Sequence, residues 1–262
     1  MSDDTLTILR HPAALALLGA MIGSFLNVVI HRLPLKISLQ SPPSRCPKCE
    51  ARVAPWDNVP IVSWILLGGR CRRCRERISV RYPVVEALTA ALFALTGATV
   101  TNAVALPFTL AFVAAMVVVT FIDLDHMIIP DSITIPGTVI GLLAAFLGAA
   151  VEPKQALIGI LVGAGGLLAV ALGYRAATGR DGLGGGDVKL LGMVGAFLGP
   201  AGAFLTIMIG SLAGTIYACL FLLRSGEGRT AELPFGTFLA PGAVVVLFGG
   251  TWLVDAYWGL FF

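Results

Sequence analysis

Four aspartates border apolar stretches of the chain, where a carboxylate is rare. Asp123, Asp125 and Asp131 lie in the segment FIDLDHMIIPD, and Asp187 follows three glycines in GGGDVKLL. Acidic side chains at such positions are costly and mark functional sites by default. Two carboxylates that share one proton can activate a water molecule, one acting as a base while the other donates a hydrogen bond to a carbonyl. The pattern indicates acid–base hydrolysis, provided that two aspartates from different helices meet.

Each aspartate also has a purely structural explanation. Asp187 could cap a helix that begins at Val188, since an aspartate before a helix accepts a backbone N–H and suits the positive end of the helix dipole. Asp131, in the segment IPDS, is expected to be a cap or turn residue of the same sort. Asp123 and Asp125 could be ordinary charges at a membrane interface.

Other residues beside these aspartates bear on the same question. The glycines at 184–186 predict a loop with unusual backbone angles that lets a substrate strand come close. A phosphate-binding loop is the competing interpretation, but the Gly-Lys-Ser/Thr ending and the preceding soluble strand are missing. Lys189 is expected to act electrostatically on Asp187 or to extend to the interface. His126 is expected to be a solvated interfacial residue rather than a base.

Four cysteines form two C-x2-C pairs, at Cys46 and Cys49 and again at Cys71 and Cys74, separated by a gap of 21 residues. Two such pairs suit a tetrahedral zinc site, and four thiolates leave no open position for water, so the expected role is structural. The gap slightly exceeds the usual range of about 15–20 residues. Disulfide bonds are the alternative, disfavoured in a reducing compartment. Cys219, in an apolar segment, is expected to be a small buried residue.

The composition is that of a membrane protein. Apolar residues make up 57% of the 262 residues and charged residues only 13%, against about 25% charged in an average soluble domain. The predicted fold class is an all-α polytopic membrane protein with about eight transmembrane helices and a zinc-binding loop after the first helix. The first apolar segment lacks a clear cleavage site and predicts a retained helix rather than a signal peptide. The sixth segment is too short to span alone. The eight apolar segments are 13–31, 82–99, 104–122, 133–150, 155–174, 188–199, 202–223 and 235–258.

Basic residues predict the orientation of these segments. Eleven of the eighteen Lys and Arg lie between Arg32 and Arg81, against three acids, so this loop is expected to be cytoplasmic. With alternating helices, sixteen of the eighteen basic residues obey one topology, which places both chain ends on the far side. The four aspartates then share the cytoplasmic face. Anionic lipid headgroups are the expected partner of the basic loop, and no nucleic-acid-binding fold is recognisable.

Five segments, taken together and in order, resemble the type IV prepilin peptidases, membrane aspartic proteases of the GxGD kind. The resemblance covers most of the chain. It includes both cysteine pairs and the segments GSFLNVVIHRLP, IDLDHMIIPD, GGGDVKLL and LPFGTFLAPGA.

The resemblance implies that Asp123 and Asp187 are the catalytic pair, with Asp125 as the runner-up for the first role. It implies type IV prepilins or type II secretion pseudopilins as substrates, cleaved after a basic leader at the cytoplasmic face of the bacterial inner membrane. It further implies methylation of the new N-terminal residue with S-adenosylmethionine, although no separate methyltransferase domain is visible and no binding residue for this cofactor is assigned.

Two other classes compete with this interpretation. A proton- or ion-coupled transporter would also use intramembrane carboxylates and glycine-broken helices, but its site would lie near the bilayer midplane. A zinc-stabilised scaffold without catalysis would leave the glycine–aspartate segment unexplained. The expected domains are the first transmembrane helix at 1–31, the zinc loop at 32–81 and the membrane peptidase domain at 82–262. The pilus or secretion system served and the oligomeric state do not follow from the sequence.

Overall fold

The computed structural model describes residues 10–180, 182–225 and 234–261, and in these ranges it contains helices, loops and no β-sheet. Within these ranges five helical runs are long and apolar enough to cross a membrane, one of them the continuous run 153–178, and two shorter apolar helices accompany them. The predicted all-α class is confirmed. The helices are α1 (Pro12–Arg32), α2 (Val62–Leu66), α3 (Arg81–Thr99), α4 (Ala105–His126), α5 (Asp131–Phe146), α6 (Pro153–Ile160), α7 (Gly166–Thr178), α8 (Gly185–Ser225) and α9 (Gly236–Phe261), with a π-helical turn at Leu161–Gly165 between α6 and α7.

The chain divides within α4 into two compact units, Met1–Ala114 and Ala115–Phe262. In the first unit α1 packs along α3, because glycines let the two backbones approach closely. A Cβ atom on Gly19 would lie 2.7 Å from the Thr89 carbonyl oxygen, and one on Gly23 would lie 2.8 Å from the Glu86 Cα. The cysteine loop connects these two helices.

In the second unit α8 packs against α5, α6 and α9. The tightest approach lies between Gly159 of α6 and Gly195 of α8, where a Cβ on either glycine would lie within 2.2 Å of the other carbonyl oxygen. Small residues therefore pack the helices, as is usual in lipid. The fully buried side chains at the centre of this unit include Met116, Val119, Ile122, Leu190, Leu191, Val194 and Leu239.

Helix α8 contains two of the predicted apolar segments. Gly199 interrupts it with a φ of 70° and a ψ of −174°, and Pro200 follows. Proline cannot continue the hydrogen-bond ladder of a helix, and glycine tolerates the positive φ. The predicted division between 188–199 and 202–223 therefore corresponds to a kink rather than to a loop.

Cys219 is exposed on α8, so the prediction that it is buried is wrong; in an apolar helix of a membrane protein an exposed side chain can face lipid instead of water. The connection between the predicted segments 202–223 and 235–258 lies mostly outside the described residues, as do residues 1–9 and Phe262.

Candidate active site

Asp123 and Asp187 lie on the same cavity of the second unit. Asp123 is in the last turn of α4 and is 4% exposed, and Asp187 is in the first turn of α8 and is 8% exposed. The cavity has a volume of about 280 Å³, large enough for several water molecules or a short stretch of peptide. The residues that line it are Asp123, Met127, Ile128, Ile129, Gly184, Gly185, Gly186 and Asp187.

The Asp123 carboxylate is held by the start of α9. The Thr237 backbone N–H donates to Asp123 Oδ2 at 2.7 Å, and the Thr237 hydroxyl donates to the same oxygen at 3.1 Å. A Cβ on Gly236 would lie 3.0 Å from that oxygen, so the backbone of α9 reaches the carboxylate only because this residue is glycine. The sequence analysis did not single out Thr237 or Gly236. The feature of the sequence that could have indicated them is the segment PFGTF at the start of an apolar stretch.

Two of the three glycines before Asp187 serve close packing rather than unusual backbone angles. Gly184, Gly185 and Gly186 are absent from the described residues with positive φ, so the expectation of unusual angles is wrong. A Cβ on Gly186 would lie 2.9 Å from the Ile129 Cβ, and one on Gly184 would lie 3.1 Å from Asp187 Oδ2. Gly186 therefore lets the start of α8 lie against the segment that follows Asp123.

Helix α8 begins at Gly185, three residues before the predicted start at Val188. Asp187 is therefore the third residue of the helix and not a cap before it. The Asp187 backbone N–H donates to the Gly184 carbonyl at 3.2 Å, and the Gly184 backbone faces the Asp187 carboxylate. The side chain is at the positive end of the helix dipole and also lines the cavity, so the structural and the chemical roles are compatible.

The other aspartates of the first motif lie elsewhere. Asp125 is exposed and does not line the cavity, because two residues along a helix turn a side chain to the opposite face. Asp131 is the first residue of α5, one position after the N-cap Pro130, so the predicted cap role is wrong. Its two carboxylate oxygens both accept from Lys189 Nζ, each at 2.7 Å. Lys189 therefore pairs with Asp131, and His126 is exposed at the end of α4.

The cysteine loop of the first unit holds a separate cluster. The sulfur atoms of Cys46, Cys49, Cys71 and Cys74 all lie within 4.8 Å of one another, and none forms a disulfide. The Cys46–Cys74 and Cys49–Cys71 sulfur distances are 3.6 and 4.0 Å. A tetrahedral zinc ion with Zn–S bonds of about 2.3 Å requires sulfur–sulfur distances of about 3.8 Å. The donor set and its spacing therefore fit one metal ion.

The two cysteine pairs fold alike. In each, the first cysteine N–H donates to a carbonyl five residues later, at 3.0 Å from Cys46 to Ala51 and 2.8 Å from Cys71 to Glu76. The residue after the second cysteine has a positive φ, 52° at Glu50 and 59° at Arg75. Each pair is thus a tight turn that directs two thiols to the same side.

Backbone N–H groups polarise the thiols of this cluster. The N–H groups of Cys49 and then Lys48 lower the pKa of the Cys46 thiol to about 6. The Glu76 backbone N–H favours the Cys74 thiolate, but desolvation and the three neighbouring thiols outweigh it and raise the pKa of Cys74 to about 12. Four sulfurs this close cannot all ionise without a cation between them, which is the property of a metal site.

Comparisons with known proteins cover both units. Residues 17–100 match the bacterial Peptidase A24 N-terminal domain, and residues 110–219 match the type IV leader peptidase family. The curated relatives include prepilin leader peptidase/N-methyltransferases from Aeromonas salmonicida (36% identical, covering 89% of each chain) and Pseudomonas aeruginosa (35%, 94% of each). A third, from Neisseria gonorrhoeae, is 34% identical over 88% of each chain. No solved structure matches the chain.

Proposed function

Because the chain belongs to the type IV leader peptidase family, we propose that Asp123 and Asp187 are its catalytic pair. The substrates are the preproteins of type IV pilins or type II secretion pseudopilins, which lose a basic leader. The observation that carries this assignment is that both carboxylates are buried and line one cavity. Asp125, which is exposed and off the cavity, is not part of the pair.

The chemistry is hydrolysis by a carboxylate pair. One carboxylate accepts a proton from water as the water oxygen bonds to the carbonyl carbon of the scissile peptide. The other carboxyl group donates a hydrogen bond to the carbonyl oxygen, where negative charge develops. The C–N bond then breaks and the proton taken from water passes to the leaving nitrogen. Burial of both groups keeps this proton exchange away from bulk solvent.

The second activity is methylation of the amino group that cleavage exposes. The relatives carry N-methyltransferase in their names, and S-adenosylmethionine supplies the methyl group when bound. We assign no residue to its binding.

The cysteine loop holds one structural zinc ion through Cys46, Cys49, Cys71 and Cys74. Support comes from the four converging sulfurs and from their spacing. The Lys48–Glu76 ion pair joins the two cysteine turns at their surface. The metal therefore stabilises the loop between α1 and α3 and takes no part in hydrolysis.

The protein is a multi-pass membrane protein, and we place it in the bacterial inner membrane with the cysteine loop and the aspartates at the cytoplasmic face. The distribution of basic residues supports this orientation. The functional regions remain the first helix at 1–31, the zinc loop at 32–81 and the peptidase region at 82–262. Anionic lipid is the expected contact of the basic loop.

The experiment that tests this function uses the purified protein and a preprotein with a basic leader. Mass spectrometry should detect loss of the leader and, when S-adenosylmethionine is added, one methyl group on the new N-terminus. A matched reaction without S-adenosylmethionine should give the cleaved, unmethylated product. A transporter that used the same carboxylates would leave the preprotein intact, and that result would overturn the proposal.

A further inference from the structure

The two aspartates of the pair have different hydrogen-bond partners. Asp123 Oδ2 accepts two hydrogen bonds from Thr237, one from the backbone N–H at 2.7 Å and one from the hydroxyl at 3.1 Å. Asp187 has the Gly184 backbone beside its carboxylate. Since hydrogen bonds to a carboxylate favour its charged form, the two groups are not equivalent.

The Thr237 N–H is available for this contact because of its position in α9. Thr237 is the second residue of the helix, and first-turn N–H groups have no partner within a helix. The N–H groups of Phe238 and Leu239 both donate to the Phe235 carbonyl, at 3.0 and 3.1 Å. The Thr237 N–H is directed at Asp123 instead, 114 residues away in the chain.

Two donors on one carboxylate oxygen leave that oxygen no place for a proton. A carboxylate oxygen has two lone-pair positions, and the two Thr237 donors use both on Oδ2. The remaining oxygen of Asp123 is the one that can accept a proton from water. The titratable side chains that line the cavity are Asp123 and Asp187. Lys189, two residues after Asp187, is paired with Asp131.

We propose that Thr237 is a positioning residue that holds Asp123 ionised, so that Asp123 is the base of the pair and Asp187 is the acid. This inference rests on the proposed function of the pair. Asp123 takes a proton from water as the water oxygen bonds to the scissile carbonyl carbon. Asp187 begins protonated and gives its proton to the carbonyl oxygen. When the C–N bond breaks, the Asp123 proton passes to the leaving nitrogen and the carbonyl oxygen returns its proton to Asp187, so both groups regain their starting forms.

The test compares Thr237→Val, Thr237→Ser and Thr237→Pro in the full-length protein with one preprotein. Valine keeps the shape and the N–H but removes the hydroxyl; serine keeps both donors. Proline removes both donors, and the first turn of a helix tolerates it because no helical hydrogen bond is lost. Thr215→Val is the matched control, because Thr215 lies on an exposed part of α8 and its hydroxyl donates to the Ser211 carbonyl of the same helix.

The expected result is a loss in kcat with little change in KM, because Thr237 contacts Asp123 and does not line the cavity. Loss of a hydrogen bond to a charged group changes an equilibrium constant by about 10- to 100-fold. Thr237→Val should therefore lower kcat by about that factor, and Thr237→Pro should lower it further. The acidic limb of the kcat/KM–pH profile should move to higher pH in both. Thr237→Ser and Thr215→Val should have the kcat and the pH profile of the unmodified protein. If the role of Thr237 were merely structural, Thr237→Val and Thr237→Pro would leave the pH profile unchanged.

Two different failures can be told apart by including Asp123→Asn and Asp187→Asn. If these two variants are inactive while Thr237→Val and Thr237→Pro keep the original kcat and pH profile, the role of Thr237 is refuted and the catalytic pair stands. If Asp123→Asn and Asp187→Asn cleave normally, the catalytic pair itself is refuted. If Thr237→Pro shows no thermal unfolding transition, it is not folded and cannot be used. The comparison of kcat and the pH profile between Thr237→Val and Thr237→Ser then tests the role of Thr237.

Discussion

Adjacent glycines in the GGGD segment should respond very differently to alanine. A Cβ on Gly186 would lie 2.9 Å from the Ile129 Cβ and 3.4 Å from the Ile129 carbonyl oxygen, whereas a Cβ on Gly185 meets nothing within 4 Å. Ordinary carbon–carbon contacts require about 3.5–4.0 Å, so Gly186→Ala must displace α8 from Ile129 by about 0.6–1.1 Å. Asp187 follows Gly186 directly, and the displacement moves it relative to Asp123.

A misplacement of about 1 Å at a reacting group costs on the order of 100-fold in rate. We therefore expect Gly186→Ala to lower leader removal by about 100-fold, with a loss of about 1–3 kcal/mol of stability from overpacking. Gly185→Ala should lose far less activity, because its added Cβ meets no atom of the protein and leaves Asp187 in place. Both variants share the gain in helix propensity that alanine brings. The assay is the initial rate of leader removal on gels, with thermal unfolding as the check on folding. Equal rates for the two variants would refute the view that Gly186 is required for the close approach of α8 to Ile129.

Three further predictions concern the rest of the molecule. Cys46→Ser should lower the zinc content of the purified protein well below one ion per chain while Cys219→Ser leaves it unchanged; unmodified, folded protein free of zinc would contradict the metal site. Asp131→Asn should cleave at nearly the original rate, and a double-mutant cycle with Lys189→Met should give a coupling of about 0.2–1 kcal/mol, since the pair is about half exposed; a coupling of several kcal/mol would show that the ion pair supports the site. A cysteine at Ser38 should react with a membrane-impermeant thiol reagent only from the cytoplasmic side, and a cysteine near the end of α9 only from the other side.

Local patterns in the sequence were sufficient to predict the helices and the cluster of four cysteines. Apolar length predicts each membrane segment because every backbone polar group in lipid must be satisfied within the helix. The two C-x2-C pairs predict a common site because each tight turn presents two thiols together. The kink in α8 follows from Gly199 and Pro200, which a sequence can show directly.

These patterns do not predict contacts between residues that are far apart in the chain. The sequence suggested that Asp123 and Asp187 share a face of the membrane, but the cavity that joins them depends on how α8 packs against its neighbours. The Asp131–Lys189 ion pair spans 58 residues, and the Asp123–Thr237 contact spans 114. Propensity and periodicity describe neighbours along the chain, so they predict a cap at Asp131 and give no role to Thr237.

The glycines of the GGGD segment illustrate the same limit. Glycine has two separate uses, positive φ and close approach, and a sequence does not distinguish them. Only the position of Ile129 relative to Gly186 shows that close approach is the relevant use here.

The most direct test of the catalytic pair is the rate of leader removal by Asp123→Asn, Asp187→Asn and Asp125→Asn, measured with one preprotein under identical conditions. Each change removes a charge and keeps the shape of the side chain, so all three variants should remain folded. Asp123→Asn and Asp187→Asn should each abolish cleavage, and Asp125→Asn, whose side chain lies off the cavity, should cleave normally. Robust cleavage by Asp187→Asn would contradict the mechanism outright, and robust cleavage by Asp123→Asn together with an inactive Asp125→Asn would transfer the first catalytic role to Asp125.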